Sequence, residues 1–486
     1  ARFVPPGWAV LFTIRHARLR RIESARLIRL ALPIVGAQLA QVGMGTVDVA
    51  MTGHASATDL AAVSIGSSLW LPLVLFMIGT LMGLTPIVAQ HVGARRFGQI
   101  RPAVHQALWV AAVLGLACAL GIRELAKPLF AFMSVPEDVS PLAMRYLAGV
   151  AFGLPAIALY ETLRFYSDGM GHTRASLQFA LLGLAVNVVA NYVLIFGGDG
   201  LVSLFGAGVP EVLQAIPARG AAGCGIATAL SMWSMFLAML LYTKLAPAYN
   251  RARFGAAFSG PSLAPIAELL RVGLPVGVAI FAEVSLFTLI ALFLAGYGEI
   301  VIAAHTVALN FSSVLFMVPL SLGMALTVRV GQALGRGKLR HARFVAFNGV
   351  LCALAAAFVI DLILVFAGPF AVSLYTSNDA VQRLAIELLL IATLYQFSDA
   401  LQVSIAGALR GYKDTRIIMV VTLLSYWGVG VGLGNLLGRG VSGLFQGLGV
   451  YGYWIGLIAG LSVAAALLGR RLVRTSQLRR FSAAGP

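Results

Sequence analysis

The sequence predicts an all-α membrane protein with twelve transmembrane helices in two pseudo-symmetric six-helix bundles. Of its 486 residues, 59% are hydrophobic and only 11% are charged, and the mean hydropathy is +0.91. Those values lie far outside the range of soluble globular chains. Apolar stretches close to the roughly 20 residues that cross a bilayer recur twelve times. The two halves also match without a gap at a shift of 242 residues: Leu32-Pro33 answers Leu274-Pro275, Ala61-Ala62 answers Ala303-Ala304, and Gln90 answers Gln332. Thr85 with Thr327, Gly93 with Gly335, and Gly169, Thr173 and Arg174 with Gly411, Thr415 and Arg416 keep the same register. Duplicated membrane bundles are characteristic of proteins whose two lobes enclose a central site. Alternation at period 2 is absent, which argues against a membrane β-barrel.

Residues 1–25 read as a cytoplasmic amphipathic lead. The apolar run Trp8 to Ile14 runs into Arg15 to Arg21 without a small-residue cleavage site, which argues against a cleaved signal. Spans one to six are expected near 27–51, 60–89, 103–122, 141–166, 175–197 and 220–246, giving an N-lobe of 26–246. Residues 247–271 are basic, contain Pro, Gly and Ser, and form a cytoplasmic linker. Spans seven to twelve follow near 272–296, 300–328, 345–368, 381–408, 415–438 and 449–469, giving a C-lobe of 272–470 and a cytoplasmic tail of 471–486. Most connections are short, as expected for antiparallel neighbours in a bundle. The longer Gly-rich loops 198–219 and 439–448 separate spans five from six and eleven from twelve, so they also respect the repeat. Gly198-Asp199-Gly200 reads as a turn in the first of these loops.

A net charge of +17 invites a nucleic-acid reading, but 29 of the 35 Lys and Arg fall on one side of the twelve-span topology. The positive-inside rule assigns that side, and both termini, to the cytoplasm. The charge orients the chain, and no nucleic-acid partner is expected. Cys118, Cys224 and Cys352 stand alone in apolar segments, without metal-ligand or disulfide spacing.

Acids inside spans are costly, about 2.5 to 3.5 kcal/mol for an Asp at a helix centre on insertion scales. Asp48, Glu161, Glu283, Asp361, Glu387 and Asp399 therefore each need a reason. Asp48 shares a polar stripe with Gln38, Gln41, Gly45 and Thr52 at three- and four-residue steps, so its face meets protein or water rather than lipid. Gly43 and Gly45 would let a helix or substrate come close to that face. Glu283 lies about eleven residues into span seven, roughly 16 Å deep, with no basic residue in the span. An acid so placed must be neutralised by a proton or by a bound cation. Asp399 has Tyr395 one turn before it and Gln402 about one turn after, and a phenol offers the carboxylate a donor and a cation an aromatic face.

Glu161 is followed by Arg164 at i+3, a structural ion pair. Glu387 reads as interfacial, and Asp361 fits neither class. Asn187 and Asn191 on span five and Thr228 on span six are candidates to complete an oxygen cage for a small cation near Asp48, the alternative being interhelical hydrogen bonding. Asn310 and Ser313 make a similar pair on span eight, and His305 there is the one intramembrane histidine singled out, more plausibly a packing donor than a switch. No G-x-x-x-x-G-K-[ST] motif and no matched Ser and His are present, so an ATPase or a serine hydrolase is not expected. Energy must then come from an ion gradient.

Gln41-Val42-Gly43-Met44-Gly45-Thr46-Val47-Asp48, Glu283-Val284-Ser285-Leu286-Phe287, Tyr395-Gln396-Phe397-Ser398-Asp399-Ala400-Leu401-Gln402-Val403 and Gly407-Ala408-Leu409-Arg410-Gly411 occur in order at spans one, seven and ten. With this pattern the chain resembles the multidrug and toxic compound extrusion (MATE) family, bacterial NorM type, over about residues 25–470. The resemblance implies two bundles alternating between outward-open and inward-open states in a bacterial inner membrane. It implies export of cationic amphiphilic drugs and dyes against inward Na⁺ or H⁺, by a monomer without cofactors among membrane lipids. It also places the first-lobe cation site at Asp48, Asn187, Asn191 and Thr228 and the second at Glu283, Asp399 and Tyr395, with Na⁺ a candidate at any of the three acids. Gln41, Asn310 and Gln402 are candidates for the substrate cavity. A lipid-linked saccharide flippase of the same architecture would instead need several intramembrane arginines to hold pyrophosphate, whereas Arg164 and Arg329 read as lying near inner ends. A passive channel or a scaffold would conduct without exchange or tolerate loss of the acids.

Overall fold

The computed structural model describes residues 17–206, 209–252, 254, 259–441 and 444–477. The lead expected over 1–25 falls outside them up to residue 16, and from Ala17 it is already helical and continuous with the first span. Among the described residues, twelve helical spans are long and apolar enough to cross a bilayer. In a hydrocarbon solvent only a helix satisfies every backbone N–H and C=O within one segment, so apolar length converts directly into helix.

In chain order the elements are α1 (Ala17–Ala55), α2 (Ala57–Leu81), α3 (Leu84–Gly93), α4 (Ile100–Phe132), α5 (Ser140–Met170), α6 (Thr173–Phe205), α7 (Glu211–Gln214) and α8 (Gly220–Leu245). They continue with α9 (Leu263–Leu294), α10 (Glu299–Gly335), α11 (Leu339–Tyr375), α12 (Asp379–Gly411), α13 (Thr415–Leu423), α14 (Gly432–Arg439) and α15 (Val450–Thr475). Helices α2 and α3 form one span, and α13 and α14 form another, joined by a π-helical stretch at Leu424–Val431. All twelve predicted spans are present. Most run past their apolar windows into polar sequence, and two of them begin with a side-chain cap. Ser56 accepts hydrogen bonds from Thr58 N and Asp59 N at the start of α2, and Asn378 does the same for α12 through Ala380 N.

Helix α6 differs from expectation. The chain breaks at Gly197, whose φ of +66° favours a residue without Cβ, and then resumes as helix. Gly198-Asp199-Gly200 is therefore helical rather than a turn, and Gly198 N donates to Ile216 O at 2.8 Å to hold the bend. The Gly-rich 439–448 loop contains a small hairpin, with Gly440 paired to Gln446.

The chain divides into two compact units by contact. One comprises Gly36–Leu84 and Phe97–Gly277. In it α5 packs on α8 and α4, α6 packs on α8, and α2 packs on α5. The α5–α8 seam depends on glycine: a Cβ on Gly149 would stand 2.7 Å from the Gly225 carbonyl carbon. Ala37, Ala40 and Ala180, with Leu184, seat α1 against α6. The segment leading into α9 is fastened to α4, where Gln106 Nε2 donates to Gly260 O and Ser262 N donates to Gln106 Oε1, both at 2.8 Å.

The other unit comprises Ala1–Val35, Thr85–Arg96 and Val278–Pro486. Here α12 packs against α10, α11 and α15, and α15 covers α14 and the π-helical stretch. A Cβ on Gly407 would lie 2.7 Å from Gly323 Cα, so the α10–α12 crossing is again a glycine contact. Near the start of α1, buried Glu23 is ion-paired with Arg329 and with Arg26 at 2.8 Å, and His341 Nε2 lies 3.7 Å away.

Candidate functional site

Asp48 sits on α1, only 6% exposed. Asn187 Nδ2 and Asn191 Nδ2, one turn apart on α6, donate to its Oδ1 at 2.9 and 2.6 Å. Thr228 Oγ1 on α8 donates to its Oδ2 at 3.1 Å. Four residues placed on three helices by sequence reasoning thus meet at one carboxyl group. No cation is among these partners, and the amide oxygens of Asn187 and Asn191 have no hydrogen-bond partner. A carboxylate, two amide oxygens and a hydroxyl form a donor set suited to a hard monovalent cation, and the carboxylate alone suits a proton.

The polar stripe of α1 does not act as one surface. Gln41, a cavity candidate, instead donates from Nε2 to Glu161 Oε1 at 2.7 Å, and Gln38 accepts from Arg164 Nη2 at 2.6 Å. Seven residues, about 10 Å of helix rise, separate Gln41 from Asp48, so one face meets α5 at one level and α6 and α8 at the next. Nothing lies within 4 Å of a Cβ placed on Gly45, and one on Gly43 would make only ordinary contact with Leu184. The close helix approach expected at those glycines is not formed. Arg164, in the last two turns of α5, is fully buried in a polar network. Its pairing with Glu161 is as expected, at 3.1 Å.

In the other unit Asp399 is 1% exposed, and neither carboxyl oxygen has a hydrogen-bond partner. Tyr395 and Glu283 are its electrostatic neighbours. Phe287 and Trp454 stand edge-on to the Tyr395 ring, with centroids 6.2 and 6.1 Å away. The acids on α9 and α12 are thus brought together with Tyr395 inside an aromatic enclosure.

Sequence reasoning missed two members. Arg410 on α12 is buried and acts electrostatically on Glu283, and Tyr426 is buried near both acids. Arg410 was legible, since eleven residues after Asp399 returns to the same helical face three turns on. Tyr426 was not, because the π-helical stretch that aims it breaks the 3.6-residue period. Gln402 is buried on α12, whereas Asn310 is exposed on α10 and its neighbour Ser313 bonds back to Leu309 O. His305 packs edge-on to Trp454 at 5.8 Å with neither ring nitrogen bonded, so it packs through its ring rather than as a donor. Asp361 is half-buried, with Oδ1 unpartnered, and Glu387 accepts from Tyr451 at the margin.

The MatE family model matches residues 33–193 and 275–436. The chain is also 44% identical over 463 residues to the multidrug resistance protein PmpM of Pseudomonas aeruginosa, covering 95% of this chain and 93% of that one. The chain belongs to the MATE family. This MATE protein is likewise 40% identical to the multidrug resistance protein NorM of Vibrio cholerae, over 93% of its own length and 95% of that relative's. Its two family matches begin at residues 33 and 275, the same shift of 242 that relates its halves. Solved structures share the MATE fold at 19% identity. A eukaryotic MATE transporter, AtDTX14, aligns with a TM-score of 0.80 over 95% of this chain and 99% of that one. An outward-facing multidrug resistance MATE family transporter of the MOP superfamily aligns at 0.81 over 94% and 97%.

Proposed function

We propose that this MATE protein is a secondary active multidrug efflux antiporter of a bacterial inner membrane, with both termini cytoplasmic. It exports cationic amphiphilic drugs and dyes in exchange for Na⁺ or H⁺ by alternating access. The observation that carries this reading is Asp48: a buried carboxyl group held by three neutral donors, with no cation among them. Such a group must be neutralised by something that comes and goes. Asp399, with two unbonded oxygens beside Glu283 and Tyr395, offers a second negative site with aromatic walls suited to a lipophilic cation. Arrival of a proton or Na⁺ at a carboxylate removes the charge that retains the drug, and this competition couples the two fluxes. The names of the bacterial relatives support the same reading.

Dye efflux from proteoliposomes under an imposed Na⁺ gradient, then under an imposed pH gradient, tests the proposal. Efflux driven by one of them names the coupling ion. Unchanged efflux in Asp48→Asn, Glu283→Gln and Asp399→Asn proteins would refute it. Against the flippase alternative, buried Arg164 and Arg329 are each paired with a carboxylate, and buried Arg410 faces Glu283.

A further inference from the structure

Apart from the Asp48 cage, the unit of Gly36–Leu84 and Phe97–Gly277 contains a second dry cluster. Glu161, Arg164 and Asp168 lie on one face of α5 and are 0%, 1% and 1% exposed. Arg164 Nη1 donates to Glu161 Oε1 and Oε2 at 3.1 and 3.2 Å. Its Nε stays 3.9 Å from Asp168 Oδ2. One guanidinium therefore faces two carboxyl groups.

Among the described residues, Arg164 is the positive charge acting on Asp168, and the other groups around the cluster are neutral. From α1 come Gln38 and Gln41, from α6 comes Ser176, from α5 itself Tyr160, and from the short helix Pro247–Ala252 comes Tyr249. With both acids ionised, the cluster would hold an uncompensated negative charge out of water, among the least tolerable arrangements in a protein interior. A proton resolves it.

We propose that Glu161 and Asp168 hold one proton between them beside Arg164, forming a proton-binding site distinct from Asp48. The hydrogen bonds decide which acid carries it. Glu161 receives Gln41 Nε2 and both contacts from Arg164 Nη1, so it is the acid paired directly with the guanidinium. Asp168 receives only Ser176 Oγ on Oδ1, at 2.6 Å, and its Oδ2 has no partner. The proton, taken from water, resides on Asp168, and Glu161 is the counter-charge of Arg164.

The site is wired to the helix that carries Asp48. Arg164 donates to Gln38 and Gln41 of α1 at 2.6 and 3.2 Å. Release of the proton places a new negative charge against Arg164 and competes with those α1 contacts. The proposal does not depend on the antiport reading, because proton binding is measured without transport.

Infrared spectroscopy of the purified full chain in detergent reads protonated carboxyl groups directly. The expected result in a background of Asp48→Asn, Glu283→Gln and Asp399→Asn is a carboxylic acid C=O band at pH 5 that loses intensity when Asp168→Asn is added. In melting experiments Asp168→Asn, which replaces a neutral acid by a neutral amide, should stay within about 2 °C of the parent. Glu161→Gln should melt several degrees lower, because it loses the direct pairing with Arg164, and Asp168, 3.9 Å from the guanidinium, replaces only part of it. A band indifferent to Asp168→Asn would overturn the proposal. So would a loss of stability in Asp168→Asn matching that in Glu161→Gln, since it would show Asp168 ionised against Arg164. Should Glu161→Gln fail to fold, the band and the Asp168→Asn melt still decide.

Discussion

Asn191 holds its amide nitrogen 2.6 Å from Asp48 Oδ1, joining α6 to the acid of α1 by a short bond between buried groups. A donor so placed stabilises the ionised carboxylate, whereas its own uncommitted Oδ1 is available to a metal cation.

Replacing it by Asn191→Leu should therefore act in opposite directions for the two candidate ions. Loss of a donor raises the proton affinity of Asp48, so a proton-coupled protein should half-saturate at about tenfold lower proton concentration. Loss of an oxygen ligand weakens Na⁺, so a sodium-coupled protein should need about tenfold more. Titration of gradient-driven dye efflux with each ion reads the sign.

Asp399 predicts a separation of stability from activity. Its two oxygens are buried without partners, so Asp399→Asn should leave melting in detergent unchanged or slightly raised. Efflux in the same protein should fall by an order of magnitude or more, as expected when an acid is kept for exchange rather than for folding. A large drop in melting temperature would show that the acid is structural.

The Glu23 cluster predicts the reverse. Glu23→Gln takes the negative charge from Arg329 and Arg26 in a site 2% exposed, and should cost about 3 to 5 kcal/mol in stability. Ser24→Ala removes the contacts with Asn348 Nδ2 at 3.0 Å and with Cys352 Sγ at 3.2 Å and should cost about 1 kcal/mol. Thermal melts of the two purified variants provide the comparison.

Two glycines give a packing test. Gly407→Ala drives a methyl to 2.7 Å from Gly323 Cα, where both sides are backbone, and should destabilise by about 1 to 3 kcal/mol. Gly45→Ala meets nothing within 4 Å and should be neutral or gain up to about 1 kcal/mol from helix propensity. Equal melting temperatures for the two would contradict the α10–α12 crossing described above.

By itself the sequence determined the helices and named the acids. A bilayer leaves an apolar stretch of the right length no alternative to helix, and a charge within such a stretch is too costly to persist without cause, so composition and depth mark six acids, Asp48, Glu283 and Asp399 among them. Only the tertiary structure decided which partner each polar group meets. Gln41 and Asp48 share one face of α1, yet the first serves Arg164 of α5 and the second serves Asn187, Asn191 and Thr228. Periodicity fixes the direction in which a side chain points, but not which neighbouring helix stands there at that height. Tyr426 shows the limit most clearly, because a local change of helical pitch turned it toward the acids, and no pattern of residue types records such a change.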